Sequence, residues 1–342
     1  MKKYLFYISH NYCFEILRPI QQEICHRGDE IAWFVEGDEI NDDYFHQDDH
    51  ILENIQQVIA YHPRAVFVPG NLVPDFIPGL KVQVFHGFEW KKKGHFRIRG
   101  CFDLYCTQGP FFTQKFNQLK ALHPHFNVTE TGWPKIDSLF NAKAYSWASK
   151  RDVRTVLYAP TFSPALTSAV ALHDEISRLS NNQDWQWIIK FHPKMNPDWI
   201  QMYQALSSDN LHIVETDSLA PILQAADLMV SDTSSIITEF GLLNKPIVTL
   251  NNKSPESHLL NISQAEDLEK TITQAFQGDD GLLQKIKNNA EQMHPYIDGQ
   301  SSSRIIDAVE KMIGSGRAGL KRKPLNLIRK LKLRKKLNYW RL

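Results

Sequence analysis

The chain has no long hydrophobic run. Nothing in it approaches the roughly 20 apolar residues that a membrane-spanning helix needs. The apolar start, Tyr4 to Ile8, breaks at Ser9-His10-Asn11. That is too short for the apolar region of a signal peptide, and no small-residue cleavage site follows. It reads as a buried first strand. Cysteine is scarce: Cys13, Cys25, Cys101 and Cys106 are the only four. They have no zinc spacing, so core packing is favoured over a metal or disulfide framework. Nothing requires an oxidising compartment. Asn127-Val128-Thr129 and Asn261-Ile262-Ser263 fit a glycosylation pattern, which means little without an export signal. There is no repeat of fixed period. The aspartate doublets Asp42-Asp43, Asp48-Asp49 and Asp279-Asp280 lie in polar segments and not behind a strand. No metal site is therefore expected and no cofactor is required. A divalent ion is compatible with the chemistry below without being needed by it. Acid is missing altogether from the last stretch. Arg317 to Leu342 carries eleven Lys or Arg and no Asp or Glu. The net charge of +1 thus hides an acidic body joined to a basic tail.

What is present is ordinary globular composition: 342 residues, 42% hydrophobic and 23% charged. That length suggests two α/β domains. Strands are expected at 4–8, 31–35, 65–68 and 82–85, with helices at 13–26 and 49–61. Residues 124–134 carry a short strand and a Gly-Trp-Pro turn. Residues 141–151 are polar and patternless, a candidate linker. A second set of strands falls near 155–158, 187–191, 211–214, 228–230 and 247–250. Its helices fall near 169–180, 197–206, 218–225, 235–243, 264–277 and 281–292. Strands alternating with helices imply parallel sheets covered on both faces. The expected division is 1–145, an N-terminal α/β domain; 152–312, a C-terminal α/β domain; and 313–342, a basic tail.

The densest signal is Ser231-Asp232-Thr233-Ser234-Ser235, which follows the apolar run Leu228-Met229-Val230 and precedes a helical pattern. A strand, a hydroxyl-rich turn and a helix start together can bind an anion. The simpler reading is an N-cap box that only starts the helix. Ligands in open α/β sheets bind at the carboxyl ends of strands. His86, Pro160-Thr161, His192 and the serine turn each follow a strand, so four polar sites are expected on one edge.

Five boxes resemble, in order, those of the CDP-glycerol glycerophosphotransferases, the teichoic-acid primases and polymerases. They are His86-Gly87-Phe88-Glu89-Trp90-Lys91-Lys92-Lys93, Gly132-Trp133-Pro134-Lys135-Ile136-Asp137, Tyr158-Ala159-Pro160-Thr161-Phe162, Lys190-Phe191-His192-Pro193 and the serine turn with Glu239. The resemblance covers roughly residues 80–250. It implies a GT-B-like fold: two doubly wound parallel-sheet domains facing a cleft. It also implies transfer of glycerol phosphate from CDP-glycerol to a hydroxyl, with release of CMP. The acceptor would be a lipid-linked saccharide or polymer, in the making of a cell-envelope polysaccharide.

Phosphoryl chemistry is mostly positioning and electrostatics. His86 is the candidate general base, since imidazole titrates near working pH. Gly87 lets a ligand approach the backbone closely. His192, held extended by Pro193, would stabilise phosphoryl charge or orient His86. The resemblance implies donor contacts for Gly87, Lys135, Pro160, Thr161, Ser234, Ser235 and Glu239, and an acceptor or phosphate role for Lys91 and Lys92. Two departures stand out. Lys135 replaces the family's arginine, a point charge for a fork. Glu239 replaces its usual aspartate.

The tail interleaves Leu325, Leu327, Ile328, Leu331, Leu333 and Leu337 with cations and closes on Tyr339-Trp340. A basic helix with leucines and terminal aromatics fits an anionic membrane surface. Nucleic acid is disfavoured, because the body is acidic and no reading motif is present. The expected location is cytoplasmic, peripheral at the inner face of the cell membrane. Two rival functions remain: a GT-B transferase using CDP-ribitol or a nucleotide sugar, and a catalytically silent subunit of an envelope-polymer assembly. The sequence leaves the acceptor and the oligomeric state open. At this length a single or limited transfer is favoured over polymerisation.

Overall fold

A computed structural model describes all residues except 89, 92, 93, 207, 217, 341 and 342. The chain divides into two compact units. The first contains Met1–Ser138 and Met293–Leu342, the second Leu139–Gln292.

The first unit runs β1 (Lys3–Ile8), α1 (Tyr12–His26), β2 (Glu30–Val35), α2 (Ile55–Tyr61), β3 (Ala65–Val68), β4 (Leu80–Gln83), β5 (Leu104–Thr107), α3 (Pro110–Leu122), β6 (Asn127–Glu130) and α4 (Pro134–Asn141). Its six strands lie in the order β2-β1-β3-β4-β5-β6, and every pair is parallel. The inner strands β3 and β5 are short, mostly apolar runs buried on both faces, as a helix-covered parallel sheet demands, while the edge strand β6 is polar and half-buried. Pro110 opens α3 at a position where a missing N–H costs nothing. Asn54 caps α2 through its side chain, so that helix starts at Ile55 and not near Asp49.

The second unit runs β7 (Arg154–Tyr158), α5 (His173–Leu179), β8 (Trp185–Ile189), α6 (Pro197–Gln204), β9 (Leu211–Ile213), α7 (Ala220–Ala225), β10 (Leu228–Ser231), α8 (Ile236–Gly241), β11 (Ile247–Leu250), β12 (Leu260–Ile262), α9 (Leu268–Gln277) and α10 (Asp280–Met293). The order is β12-β11-β10-β7-β8-β9, all parallel. Read from β9, this is the doubly wound 3-2-1-4-5-6 arrangement, with its topological switch between β7 and β10. The expected linker is not loose. Tyr145 N–H donates to the Pro221 carbonyl at 2.8 Å, and Trp147 stacks on His212 of the edge strand, centroids 5.3 Å apart.

The chain then returns to the first unit as α11 (Ser301–Gly314) and α12 (Leu327–Lys336). This differs from the expected division at 145, 152 and 312. The reason lies in Asp137, whose carboxylate accepts from the Ser301 and Ser302 amides and the Ser302 hydroxyl, each at 2.8 Å. A buried carboxylate from a distant helix thereby caps the start of α11, where the helix dipole favours negative charge. Gly132 makes the approach possible: it has φ +82°, and a Cβ there would stand 2.4 Å from Ser301 Oγ.

The basic tail packs too. Arg317 and Lys323 both pair with the buried Asp103 at 2.8 Å. Lys330 reaches Asp75 and Lys336 reaches Glu36. Tyr339 stacks on Phe76 at 4.5 Å. Leu333 is buried against the unit, while Leu325, Leu327, Ile328, Leu331 and Trp340 are exposed. Among the described residues no helix is long and apolar enough to cross a membrane.

Candidate functional site

In the first unit, β4 ends at Gln83 and the chain turns through Val84-Phe85-His86-Gly87. Phe85 is buried and left-handed, with φ +59°. For a bulky residue that backbone is strained by about 1–3 kcal/mol. His86 follows on the surface. Its ring lies 6.0 Å from Tyr12 and 6.3 Å from His95, centroid to centroid. His95 stacks on Phe85 at 5.5 Å. Burial, then the neighbouring His86, push the His95 pKa down to about 4, so His95 is neutral at physiological pH.

The turn is gripped by two buried side chains. Gln108 Nε2 donates to the Gly87 carbonyl at 2.9 Å, and Trp133 Nε1 donates to the Phe85 carbonyl at 3.3 Å. The Trp133 amide in turn donates to His294 Nε2 at 2.9 Å. Burial holds the His294 pKa down at about 4, so the ring stays neutral and can accept. Lys91 lies over the Trp90 ring at 5.3 Å. Lys92 lies outside the described residues. Lys135 is in the first turn of α4, in this same unit, with Nζ 3.1 Å from Glu15 and 5.7 Å from the Trp133 ring.

In the second unit, Pro160-Thr161 follow β7 and the serine turn follows β10, the two strands flanking the switch point. His192 follows the next strand, β8. The organising group is Asp232. It is fully buried, and its carboxylate accepts from the amides of Thr161 (3.0 Å), Ser168 (2.9 Å) and Thr233 (2.7 Å) and from the Ser168 hydroxyl (3.0 Å). Burial pushes its pKa up, against the pull of these hydrogen bonds. Ser231 Oγ ties the turn to the Ala159 carbonyl at 2.6 Å, and Asn252 donates to the Asp232 carbonyl at 2.7 Å. Three neighbouring strand ends are thus bolted together.

Above that base sit Ser234 and Ser235. Ser235 occupies the cap position of α8, yet its side chain makes no capping hydrogen bond. The capping explanation of the serines therefore fails. The Ile237 and Thr238 amides donate to the Ser234 and Ser235 carbonyls at 3.4 and 3.2 Å, while Ser234 is half-buried and Ser235 exposed. Glu239 lies in the first turn of the helix.

His192 is exposed and packs against Phe162 with centroids 4.3 Å apart. Its Nδ1 accepts from the Lys194 amide at 3.0 Å. That places the neutral ring's proton on Nε2, making the outer nitrogen a donor. Burial, Lys194 and Lys190 lower its pKa and keep the ring neutral. His192 is thus equipped to donate to an oxyanion.

Among the described residues, His46, Asp48 and Asp49 bring potential metal-ligand atoms within 4.8 Å of one another. Arg18 already engages Asp49 through two hydrogen bonds of 2.6 Å.

Sequence reasoning missed Asp232, Gln108 and the use of Trp133 and Asp137. Asp232 could have been noticed as a carboxylate directly behind a buried strand. Gln108 carried no signal, because its role depends on where the His86 turn lies in space.

Two doubly wound parallel α/β units, with polar turns at their strand ends, make a GT-B-like fold. The family described as CDP-Glycerol:Poly(glycerophosphate) glycerophosphotransferase matches over residues 102–253, from just before β5 to just past β11. The teichoic acid glycerol-phosphate primase of Bacillus subtilis (strain 168) is 27% identical over 176 residues, 47% of this chain and 44% of that one. The chain therefore spans less than half the length of that relative. A structure of the wall teichoic acid polymerase TagF, soaked with CDPG, superposes with a TM-score of 0.62 at 13% identity, covering 91% of this chain and 89% of that one. A UDP-N-acetylglucosamine 2-epimerase does as well, with a TM-score of 0.61, 17% identity and coverages of 95% and 99%. At such identities the structural likeness is one of fold alone. The sequence matches go further than the fold: over residues 102–253, less than half of the chain, it is similar to the CDP-glycerol glycerophosphotransferases. The matched stretch begins after the His86 turn.

Proposed function

We propose that this protein transfers glycerol phosphate from CDP-glycerol to a hydroxyl of a lipid-linked saccharide or growing polymer. The acceptor oxygen attacks the phosphorus that carries glycerol. The bond from that phosphorus to the bridging oxygen breaks, and CMP leaves. His86 takes the acceptor's proton. The hydroxyls of Ser234 and Ser235 hold the diphosphate, with Pro160 and Thr161 beside it, and Glu239 faces the donor's hydroxyls. His192, protonated on Nε2, donates to a phosphoryl oxygen. Gly87 gives the substrate close access, and Lys91 and Lys92 attract the anionic acceptor. The donor role first assigned to Lys135 is retained only as a contribution to local positive potential, since Glu15 engages its charge.

The observation that carries this reading is the serine turn: it lies at a topological switch point, is braced from below by Asp232, and has no capping role. CMP release with CDP-glycerol, CDP-ribitol or UDP-sugars and a membrane acceptor is the deciding experiment. Activity confined to CDP-glycerol supports the proposal. Preference for CDP-ribitol supports the first rival, and no CMP from any donor supports a silent subunit. The ribitol reading has one observation in its favour, a 24% identical stretch in a teichoic acid poly(ribitol-phosphate) polymerase of Bacillus spizizenii.

The tail suggests the place of action. Its docked cations brace α12, while Leu325, Leu327, Ile328, Leu331 and Trp340 stay exposed beside Lys321, Arg322, Lys332 and Lys335. That face suits an anionic membrane surface on the cytoplasmic side. Sedimentation with anionic liposomes, weakening as salt rises, is the check.

A further inference from the structure

We infer that Gln108 and Trp133 are positioning residues that hold the His86 turn in its strained shape; the inference rests on His86 acting as the base proposed above. The two hydrogen bonds bracket the histidine. One grips the carbonyl of the residue before it, Phe85, and the other the carbonyl of the residue after it, Gly87. A left-handed phenylalanine persists only where its surroundings over-determine it. Here they do. The Phe85 ring is packed between His95 and Phe116, at 5.5 and 5.0 Å, and the backbone on its far side is held by the indole.

Gln108 has the more telling environment. It is fully buried, and among the described residues its Oε1 has no hydrogen-bond partner. A buried amide left half satisfied is unfavourable, and a core position would be better filled by an apolar side chain. What the amide delivers is one N–H, aimed at the turn. Trp133 is itself fixed: it is buried, its amide is bonded to His294, and its ring meets Phe88 edge-on at 5.1 Å. The chain that returns as Met293–Ser301 closes behind this assembly. A Cβ on Gly109 would stand 2.4 Å from the Met293 carbonyl. The result is a rigid backbone carrying an exposed imidazole. A base that must meet one acceptor proton needs this, because small misplacements cost large factors in rate.

Gln108→Met keeps the length and removes the donor. In the full chain, kcat for CMP release should fall about tenfold, with KM for CDP-glycerol unchanged within about twofold, as expected of a group that acts only through geometry. Introduced into His86→Ala, the same change should lower the residual rate by less than about twofold, because no base is left to position. Trp133→Phe should show the same pattern more weakly, its bond being longer. An equal loss with and without His86, or an unchanged kcat, overturns the inference. The intact protein gives an independent reading that survives a variant's failure to fold. The Gln108 side-chain amide protons should exchange with solvent at least about tenfold more slowly than those of an exposed glutamine. Exchange at the exposed rate removes the clamp. If His86→Ala releases CMP at full rate, the proposed base fails instead, and amide exchange still reports on the grip.

Discussion

The two sheets hold their polar turns by opposite chemistry. In the first unit, neutral donors from Gln108 and Trp133 grip carbonyls around His86. In the second, the carboxylate of Asp232 gathers amides from Thr161, Ser168 and Thr233. The difference follows from what each turn would present. Gripping carbonyls with neutral groups fixes a backbone and adds no formal charge near an imidazole. Gathering amides with a carboxylate draws two loops together, but it puts negative charge beneath a turn proposed to hold a diphosphate. Four hydrogen bonds disperse that charge, and the amides of Thr161 and Thr233 are engaged below, not offered above. In the proposed site, anion binding then falls to the hydroxyls of Ser234 and Ser235. The first turn should therefore fail by losing geometry, and the second by losing charge balance.

The largest expected effect is at the first turn. His86→Ala should lower CMP release by about 100-fold or more, the usual scale for losing a general base. Donor affinity by calorimetry should stay within about twofold. Wild-type turnover by that variant would remove the base from the comparison. Asp232→Asn should act in the other way. An amide cannot accept at both atoms, so a buried donor from Thr161 or Ser168 is left facing an N–H, at a cost of about 2 kcal/mol in stability. The donor KM should rise with that loss, and His86-dependent chemistry should be touched least. Unchanged melting and unchanged donor affinity would mean that Asp232 is not what joins the two loops.

The smallest effect is one of pH on the stability of the first unit. Burial keeps the folded pKa of His294 down at about 4, against about 6.5 in an unfolded chain. Between those values the unfolded chain holds the extra proton, so stability falls as pH drops from about 6.5 toward 4. His95 adds to the same slope. His294→Gln leaves an acceptor for the Trp133 amide and removes one titrating group. The slope should then flatten by up to about 1.4 kcal/mol per pH unit at most. An unaltered slope in urea titrations across that range would show that His294 is not buried as a neutral acceptor.

Much of the second unit was legible because its signals are local. The run Leu228-Met229-Val230 and the hydroxyls behind it announce a strand, a turn and a helix within a dozen residues. Pro193 places His192 at a strand end by a rule of adjacent sterics. The first unit was harder. Strand β5 and helices α3, α4 and α11 went unassigned, and the chain's return to the first unit after Met293 had no marker. Asp137 was visible only as the last member of a box, whereas its work is to cap a helix 164 residues away. The tail was legible in composition and illegible in contacts: its cations suggested a surface, but nothing in Arg317 or Lys323 indicated that Asp103 lies buried beneath them.

The sequence by itself determined the alternation of strands and helices, the family's boxes and the residue types able to do the chemistry. These depend on periodicity and on neighbours within a turn or two, where backbone geometry acts directly. Tertiary structure alone decided which groups hold those boxes in place. Gln108 and Trp133 act through single hydrogen bonds, and Asp232 through several, to chain segments that are remote in sequence, and such bonds leave no periodic trace. They exist only once apolar burial has folded each sheet and brought its strand ends together.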